Sequence, residues 1–129
     1  MKKLTLFSAL LLLVFNTGCE QSTEPTSYVY ISFDVESNFQ NDSVRLALDN
    51  QLLLNSPVTT NYSVSLAWSS GLKRLSKTFH RLHFSVVDYG IQKDYQVDVT
   101  NDTSTVLIHF YKSTKQIDFM QVKGIVRRR

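Results

Sequence analysis

The residue with the widest chemical repertoire in this chain is its one cysteine, Cys19. A thiol can act as a nucleophile, bind a metal as the thiolate, form a disulfide or be acylated. A disulfide within the chain is excluded, because the sequence has no second cysteine. Cys19 follows a basic start (Lys2 and Lys3) and an apolar block from Leu4 to Phe15, which is shorter than the roughly 20 residues of a membrane-spanning helix. This order of segments is typical of a secretory signal peptide.

The end of this leader, Asn16-Thr17-Gly18-Cys19, resembles the lipobox of bacterial lipoproteins. In that family small residues precede a cysteine that is acylated and becomes the first residue after cleavage. Thr17 and Gly18 fit the pattern, whereas Asn16 stands where the family usually has an aliphatic residue. The resemblance implies a cleaved signal peptide at residues 1–18 and a lipid on Cys19, which would leave no free thiol. The alternatives are an ordinary signal peptide with an incidental cysteine, or an uncleaved anchor.

Residues 19–27 are polar, include Pro25 and lack aliphatic side chains, so we expect a flexible tether that buries nothing. In related lipoproteins the familiar signal for retention in the inner membrane is Asp after the cysteine. Glu20 occupies that position here, and the resemblance therefore favours the outer membrane, if the cell is Gram-negative.

Charge and length restrict the class of protein. Without Lys2 and Lys3 of the leader, the 14 basic side chains fall to 12, against 11 acidic ones. This near balance, together with export, argues against a nucleic-acid-binding protein. The 111 residues from Cys19 to Arg129 fit one domain, which at this length needs neither disulfides nor a metal for stability.

A period of two in the hydrophobic pattern predicts β-strands throughout residues 28–123. In Tyr28–Val35, apolar Val29, Ile31, Phe33 and Val35 alternate with more polar residues. Further strands are predicted at Val44–Leu48, Leu52–Leu54, Tyr62–Trp68, Phe79–Val87, Asp94–Val99, Thr105–Tyr111 and Ile117–Val122, with an edge segment at Val58–Asn61. Loops are predicted at Ser37–Ser43 and Ser69–Thr78, and a frayed basic tail at residues 124–129.

The first predicted hairpin turns at Asp49-Asn50, residues that tolerate the left-handed backbone of a tight turn. We prefer a three-residue loop, which pairs Leu48 with Leu52 and Leu46 with Leu54 and so keeps the leucines on one face.

Seven or eight short strands joined by hairpin-sized turns predict an all-β, antiparallel β-sandwich. The segments Val44–Asn50 and His80–Asp88 resemble strand patterns of bacterial immunoglobulin-like domains. The resemblance covers about a third of the domain. It supports a sandwich and leaves immunoglobulin-like and transthyretin-like topologies open.

The densest positive patch of the predicted domain lies beside Trp68 and Phe79, and its members are Lys73, Arg74, Lys77 and Arg81. These four residues and Trp68 are the candidate ligand-binding residues. As a functional site the patch would bind an anionic polymer, an acidic envelope glycan or lipid headgroups. The competing interpretation is a solvated loop at the end of the sandwich, which is what short charge runs usually are. Outward Tyr28, Tyr30 and Tyr111 are either a contact platform or cross-strand pairs that cover the sheet.

Catalytic and metal-binding patterns are weak. His80 and His83 stand three apart on a strand and so on opposite faces, while His109 points outward on another strand, which does not gather the three or four ligands of a zinc site. We interpret these histidines as surface or strand-end residues. The carboxylates, Asp34 and Asp98 included, are interpreted as solvated surface acids, because hydrolase motifs are missing from the sequence.

The sequence therefore predicts a lipid-anchored cell-envelope lipoprotein without enzymatic activity, cofactor or metal, held to the membrane through Cys19. Its domain would present a surface to an envelope protein or glycan. An envelope-glycan or anionic-polymer site at Lys73–Arg81 is one alternative. An enzyme with an unrecognised site is the other, and it predicts a deep pocket with converging titratable groups.

Overall fold

The computed structural model describes residues 27–99 and 102–128, which form eight strands and one short 3-10 helix. The strands are β1 (Tyr28–Glu36), β2 (Asp42–Leu48), β3 (Gln51–Val58), β4 (Trp68–Ser76), β5 (His80–Val86), β6 (Ile91–Val97), β7 (Ser104–Tyr111) and β8 (Gln116–Lys123), and the 3-10 helix is Val87–Tyr89. The predicted signal peptide, Cys19 and the tether up to residue 26 lie outside the described residues.

Two four-stranded sheets form a sandwich, which confirms the predicted fold class. The first sheet has the order β4-β1-β7-β8 and the second β3-β2-β5-β6. Neighbouring strands run antiparallel, except that β1 and β7 are parallel. In an immunoglobulin constant domain the first two strands pair within one sheet. Here β1 and β2 belong to opposite sheets, so the strand order differs from the immunoglobulin one.

The core lies between the inner faces of the two sheets. Alternate side chains of each strand point inward, because successive Cβ atoms lie on opposite faces. The apolar side chains that are completely buried in this way are Ile31, Phe33, Val35, Val44, Leu46, Leu82, Phe84, Val86, Val97, Val106 and Ile108. Edge strands β6 and β8 also meet across one side of the sandwich, where Lys93 Nζ donates to the Ile117 carbonyl at 2.9 Å and Tyr95 stacks on Phe119.

The β2–β3 hairpin turns in two residues rather than three. Asp49-Asn50 has φ angles of 49° and 64°, and Leu48 pairs with Gln51. A bulge beside Leu46 absorbs one residue and places Leu46 opposite Leu54. The predicted Leu46 to Leu54 pair is thus confirmed, whereas the three-residue loop is wrong, because two left-handed residues match the twist of the strands.

The predicted strand Tyr62–Trp68 and the predicted loop Ser69–Thr78 are both wrong. The backbones of Asn61 and Leu66 exchange hydrogen bonds of 2.9 and 3.3 Å, which close the intervening residues into a turn. Trp68–Ser76 is instead edge strand β4. A bulge interrupts its pairing with β1, and Gly71 has a φ of 63°. The irregular backbone hides the period of two, since the apolar residues are no longer evenly spaced.

The two ends of the sandwich carry different loops. The N-terminal end contains the start of β1, the β2–β3 turn and the β4–β5 turn at residues 77–79, because Tyr28 pairs with Ser76 and the Asp49 N–H donates to the Arg81 carbonyl at 2.9 Å. The opposite end contains residues 37–41, 59–67 and the β7–β8 turn. Tyr28, the first residue of β1, therefore lies at the N-terminal end.

Candidate functional site

The structure does not bring the five residues of the predicted anion-binding loop together. Trp68 starts β4 at the opposite end of the sandwich and packs against the core. Lys73 and Arg74 lie further along β4 in the first sheet, whereas Arg81 lies on β5 in the second sheet. Lys77 is in the turn between β4 and β5. The predicted loop is therefore mostly strand, and only its 77–79 turn is a connection.

The two arginines of this set have separate partners. The Arg74 guanidinium lies 3.7 Å from the centroid of the Tyr28 ring, a cation-π contact. Arg81 donates to Asp94 at 2.7 Å, and His83 Nδ1 donates to the other oxygen of Asp94 at 2.5 Å. The hydrogen bond from His83, together with the charge of Arg81, lowers the pKa of Asp94 by more than burial raises it. This exposed group is a polar cluster on the outer face of the second sheet.

His80 and His83 lie on opposite faces, as predicted. His80 is 9% exposed and joins the two sheets at the N-terminal end. Its Nδ1 lies 2.5 Å from an Asp49 oxygen in the β2–β3 turn, and its Nε2 lies 2.8 Å from the Ser76 carbonyl at the end of β4. Burial raises the pKa of Asp49, but hydrogen bonds from the Arg81 N–H and His80 outweigh it and lower the pKa. These contacts hold the N-terminal end together.

The C-terminal segment carries a feature that the sequence analysis missed. Arg128 donates to Asp34 at 3.2 Å, to Glu36, and to the Val64 carbonyl at 3.2 Å. Its side chain is 15% exposed, against 7% for Asp34 and 13% for Glu36. Burial opposes the charge of Arg128, yet its hydrogen bonds to Glu36 and Asp34 raise its pKa. The prediction of a frayed tail is wrong for residues 124–128, which cross the outer face of the first sheet.

Asp34 is consequently not the solvated surface acid that the sequence suggested. It points outward from β1, but the C-terminal segment covers it. Ser69 donates to Asp34 at 2.6 Å and Ser32 donates to it at 3.1 Å. His109 extends the group, since its Nε2 lies 3.2 Å from Glu36. We call these residues the Arg128 cluster; its two acids, Asp34 and Glu36, are both paired, so it is a structural clamp.

The outward tyrosines do not form one platform. Tyr28 and Tyr30 are at the N-terminal end, exposed by 38% and 49%. Tyr111 ends β7 at the opposite end, where it stacks on His109. They are therefore parts of two separate surfaces.

At the opposite end an ion pair joins the two sheets. Asp42 begins β2, Lys112 follows β7, and Lys112 Nζ lies 2.7 Å from an Asp42 oxygen. The Gln40 N–H donates to the same oxygen at 2.8 Å. Burial raises the pKa of Asp42, but the hydrogen bonds from Lys112 and Gln40 outweigh it, so the pKa of Asp42 is lowered.

This pair predicts a pH-dependent contribution to stability. Asp42→Asn is expected to lower the free energy of unfolding at neutral pH by about 1.5 to 3 kcal/mol, the range for hydrogen bonds to charged groups. Since the folded-state pKa of Asp42 is below its unfolded value, the contribution is fully present above roughly pH 4 and is lost as pH falls further. Urea unfolding at several pH values checks this.

The matched control is Asp118→Asn. Asp118 is 46% exposed, and its distance of 3.9 Å from Lys93 Nζ is longer than the 2.7 Å of the Asp42 pair. Exposed pairs contribute about 0 to 1 kcal/mol. A difference between wild type and Asp42→Asn that stays constant down to low pH would contradict the prediction.

Residues 27–99 and 102–128 contain no group of three His, Cys, Asp or Glu side chains arranged to hold a metal ion. Within the same residues no helix is long and apolar enough to cross a bilayer. The described residues instead contain the Arg128 cluster, the ion pair of Asp42 and Lys112, the exposed cluster of Asp94, and loops at both ends of the sandwich. No model of a known protein family matches the sequence, and no curated protein is significantly similar to it.

Proposed function

We propose that this protein is a lipid-anchored lipoprotein of the bacterial cell envelope whose β-sandwich is a non-enzymatic binding or structural module. The observation that carries the proposal is the lone cysteine directly after a short apolar leader and small residues, Asn16-Thr17-Gly18-Cys19. A single thiol at the cleavage position can carry a lipid, but it has no second cysteine with which to form a disulfide within the chain. Glu20 favours the outer membrane as the location.

The start of the folded domain supports this proposal. Eight residues separate Cys19 from Tyr28, where β1 begins, and a fully extended chain between these two positions spans about 30 Å. Several acyl chains on Cys19, with about 0.8 kcal/mol for each buried methylene, would hold the domain firmly within that distance of the bilayer. The sandwich would then stand beside the membrane with its N-terminal end nearest to it.

We further infer that the opposite end faces an envelope protein or glycan. Tyr62, Tyr89 and Tyr111 belong to this end and are exposed by 61%, 36% and 48%. Tyrosine is enriched at contact surfaces, since its ring offers apolar area and its hydroxyl a hydrogen bond. A partner would reach these residues without competing with the membrane.

Of the two topologies that the sequence leaves open, we infer the transthyretin-like one. The support is the strand order, with four strands in each sheet and β1 between β4 and β7, which departs from the immunoglobulin order. This inference concerns the fold and carries no activity with it.

Incorporation of radiolabelled palmitate in a bacterial host tests the anchoring. Wild type is expected to incorporate the label and to sediment with membranes, whereas Cys19→Ser should lose both the label and membrane retention. Double variant Cys19→Ser/Ser22→Cys is the matched control. It keeps one thiol in the tether but moves it away from the cleavage position, so it should also stay unlabelled.

A wild-type protein that is released without label would overturn the anchoring. So would a mass spectrum with residues 1–18 still attached to an unmodified Cys19. Labelling of the displaced cysteine would show that acylation does not depend on the lipobox-like residues.

A further inference from the structure

The most exposed large apolar side chain among the described residues is Phe79, at 83%. It is the last residue of the β4–β5 turn at the N-terminal end of the sandwich. The turn is held by several hydrogen bonds: the Thr78 N–H donates to the Ser76 carbonyl at 2.8 Å, and the Ser76 and Thr78 hydroxyls are 3.0 Å apart. The His80 imidazole also bonds to the Ser76 carbonyl. Phe79 is therefore presented to the exterior by an ordered backbone.

Phe79 lies close to the point where the tether enters the domain. Tyr28, the first residue of β1, pairs with Ser76, three residues before Phe79. The chain that precedes the described residues thus leads away from the same end of the sandwich. With a lipid on Cys19, the tether holds this end within about 30 Å of the bilayer.

Charged side chains of both signs lie near Phe79, which shares a surface recess with Asp49, Arg81 and Asp94. Lys77 is two residues before Phe79, and Arg74 lies over the ring of Tyr28. Both acids of the recess have partners of their own, since Asp49 lies 2.5 Å from His80 and Asp94 lies 2.7 Å from Arg81. An exposed aromatic ring that has Lys77 two positions before it and Arg81 two positions after it in the chain suits the interface of a bilayer that contains anionic lipids.

We propose that the N-terminal end docks on the surface of the membrane to which the protein is anchored, with Phe79 inserted among the lipids and Lys77 and Arg74 against anionic headgroups. This inference rests on the proposed lipid anchor. Docking would fix the orientation of the sandwich and turn Tyr62 and Tyr111 at the opposite end toward the partner.

Tryptophan fluorescence in vesicles tests the docking. Full-length lipidated protein is reconstituted into vesicles of phosphatidylethanolamine and phosphatidylglycerol that contain lipids brominated on the acyl chain. Phe79→Trp is expected to add an emission component that is shifted to the blue and quenched by the brominated lipid. Natural Trp68 is an internal reference, because it starts β4 at the opposite end, eight residues or about 26 Å along the strand from Ser76.

Tyr62→Trp is the matched control, since Tyr62 is also exposed, at 61%, but belongs to the opposite end. Its emission should be neither shifted nor quenched. Adding Lys77→Glu to Phe79→Trp should reduce the quenching in these vesicles more than in vesicles of phosphatidylcholine alone. Both tryptophan replacements are at exposed positions, so the core is left unchanged.

The outcomes separate the two proposals. If mass spectrometry finds the lipid on Cys19 but Phe79→Trp and Tyr62→Trp are quenched to the same extent, or neither is quenched, the docking is overturned and the anchor stands. If Cys19 carries no lipid and the protein does not float with the vesicles, both proposals fall.

Discussion

Replacement of Phe39 by alanine is expected to lower the free energy of unfolding by about 3 to 5 kcal/mol, the range for a fully buried phenylalanine. Phe39 is in the connection between β1 and β2, yet its side chain is completely buried. Its ring stacks on Phe110 with the centroids 6.0 Å apart. The alanine variant would leave a cavity that the surrounding strands cannot close, because they are held by their ladder hydrogen bonds.

The backbone of Phe39 makes the site rigid. The Phe39 N–H donates to Thr60 Oγ1 at 2.9 Å, and the Thr60 N–H donates to the Phe39 carbonyl at 3.0 Å. These bonds join the β1–β2 connection to the β3–β4 connection at residues 59–67. Phe39 therefore closes the opposite end of the sandwich, and its loss is expected to loosen both connections.

Urea unfolding of the full chain in a mild detergent measures this effect. Phe79→Ala is the matched control, because it removes the same ring from a position that is 83% exposed, and a change within about 0.5 kcal/mol is expected there. Equal effects of Phe39→Ala and Phe79→Ala would contradict the burial of Phe39.

The second large effect is expected from Arg128→Met, which should lower the free energy of unfolding by about 3 kcal/mol. Removal of one partner of a buried ion pair leaves uncompensated charges, which typically costs about 3 to 5 kcal/mol. Asp34 and Glu36 would both lose their cation, and the segment that covers them would lose its attachment. We choose the lower limit because water can enter when the C-terminal segment detaches.

Arg127→Met is the matched control for this prediction. Arg127 is the preceding residue and is exposed, so its replacement should change the free energy of unfolding by no more than about 0.5 kcal/mol. In the triple variant Arg128→Met/Asp34→Asn/Glu36→Gln part of the lost stability should return, since no buried charge is left without a partner. A loss for Arg128→Met no larger than for Arg127→Met would show that the clamp does not stabilise the fold.

Strands with an uninterrupted period of two were predictable from the sequence. In β1 and β7 each second side chain is apolar, and the structure places these side chains in the core. The opposite faces of His80 and His83 follow from the same rule. The rule fails at β4, where the bulge near Gly71 shifts the register, and at Tyr62, where hydrogen bonds between Asn61 and Leu66 form a turn.

The candidate site was less predictable than the fold. Trp68, Lys73 and Arg81 were predicted to share a site because they are close along the chain. In the structure Trp68 and Lys73 lie at different positions along β4, and Arg81 lies on β5 in the other sheet. The Arg128 cluster, conversely, joins Arg128 to Asp34 across 94 positions of sequence. No local pattern marks such a pair, since each member by itself looks like an ordinary surface charge.

The sequence by itself determined that one cysteine follows a short apolar segment, and it predicted the β-sandwich, because each of these depends on composition or on the alternation of neighbouring residues. Only the tertiary structure decided the order of the strands, the burial of Phe39 and Asp34, and the exposure of Phe79 at the end of the sandwich where β1 begins. Burial depends on which distant segments pack over a residue. That packing is set by the free energy of the whole core and not by the pattern of any one segment.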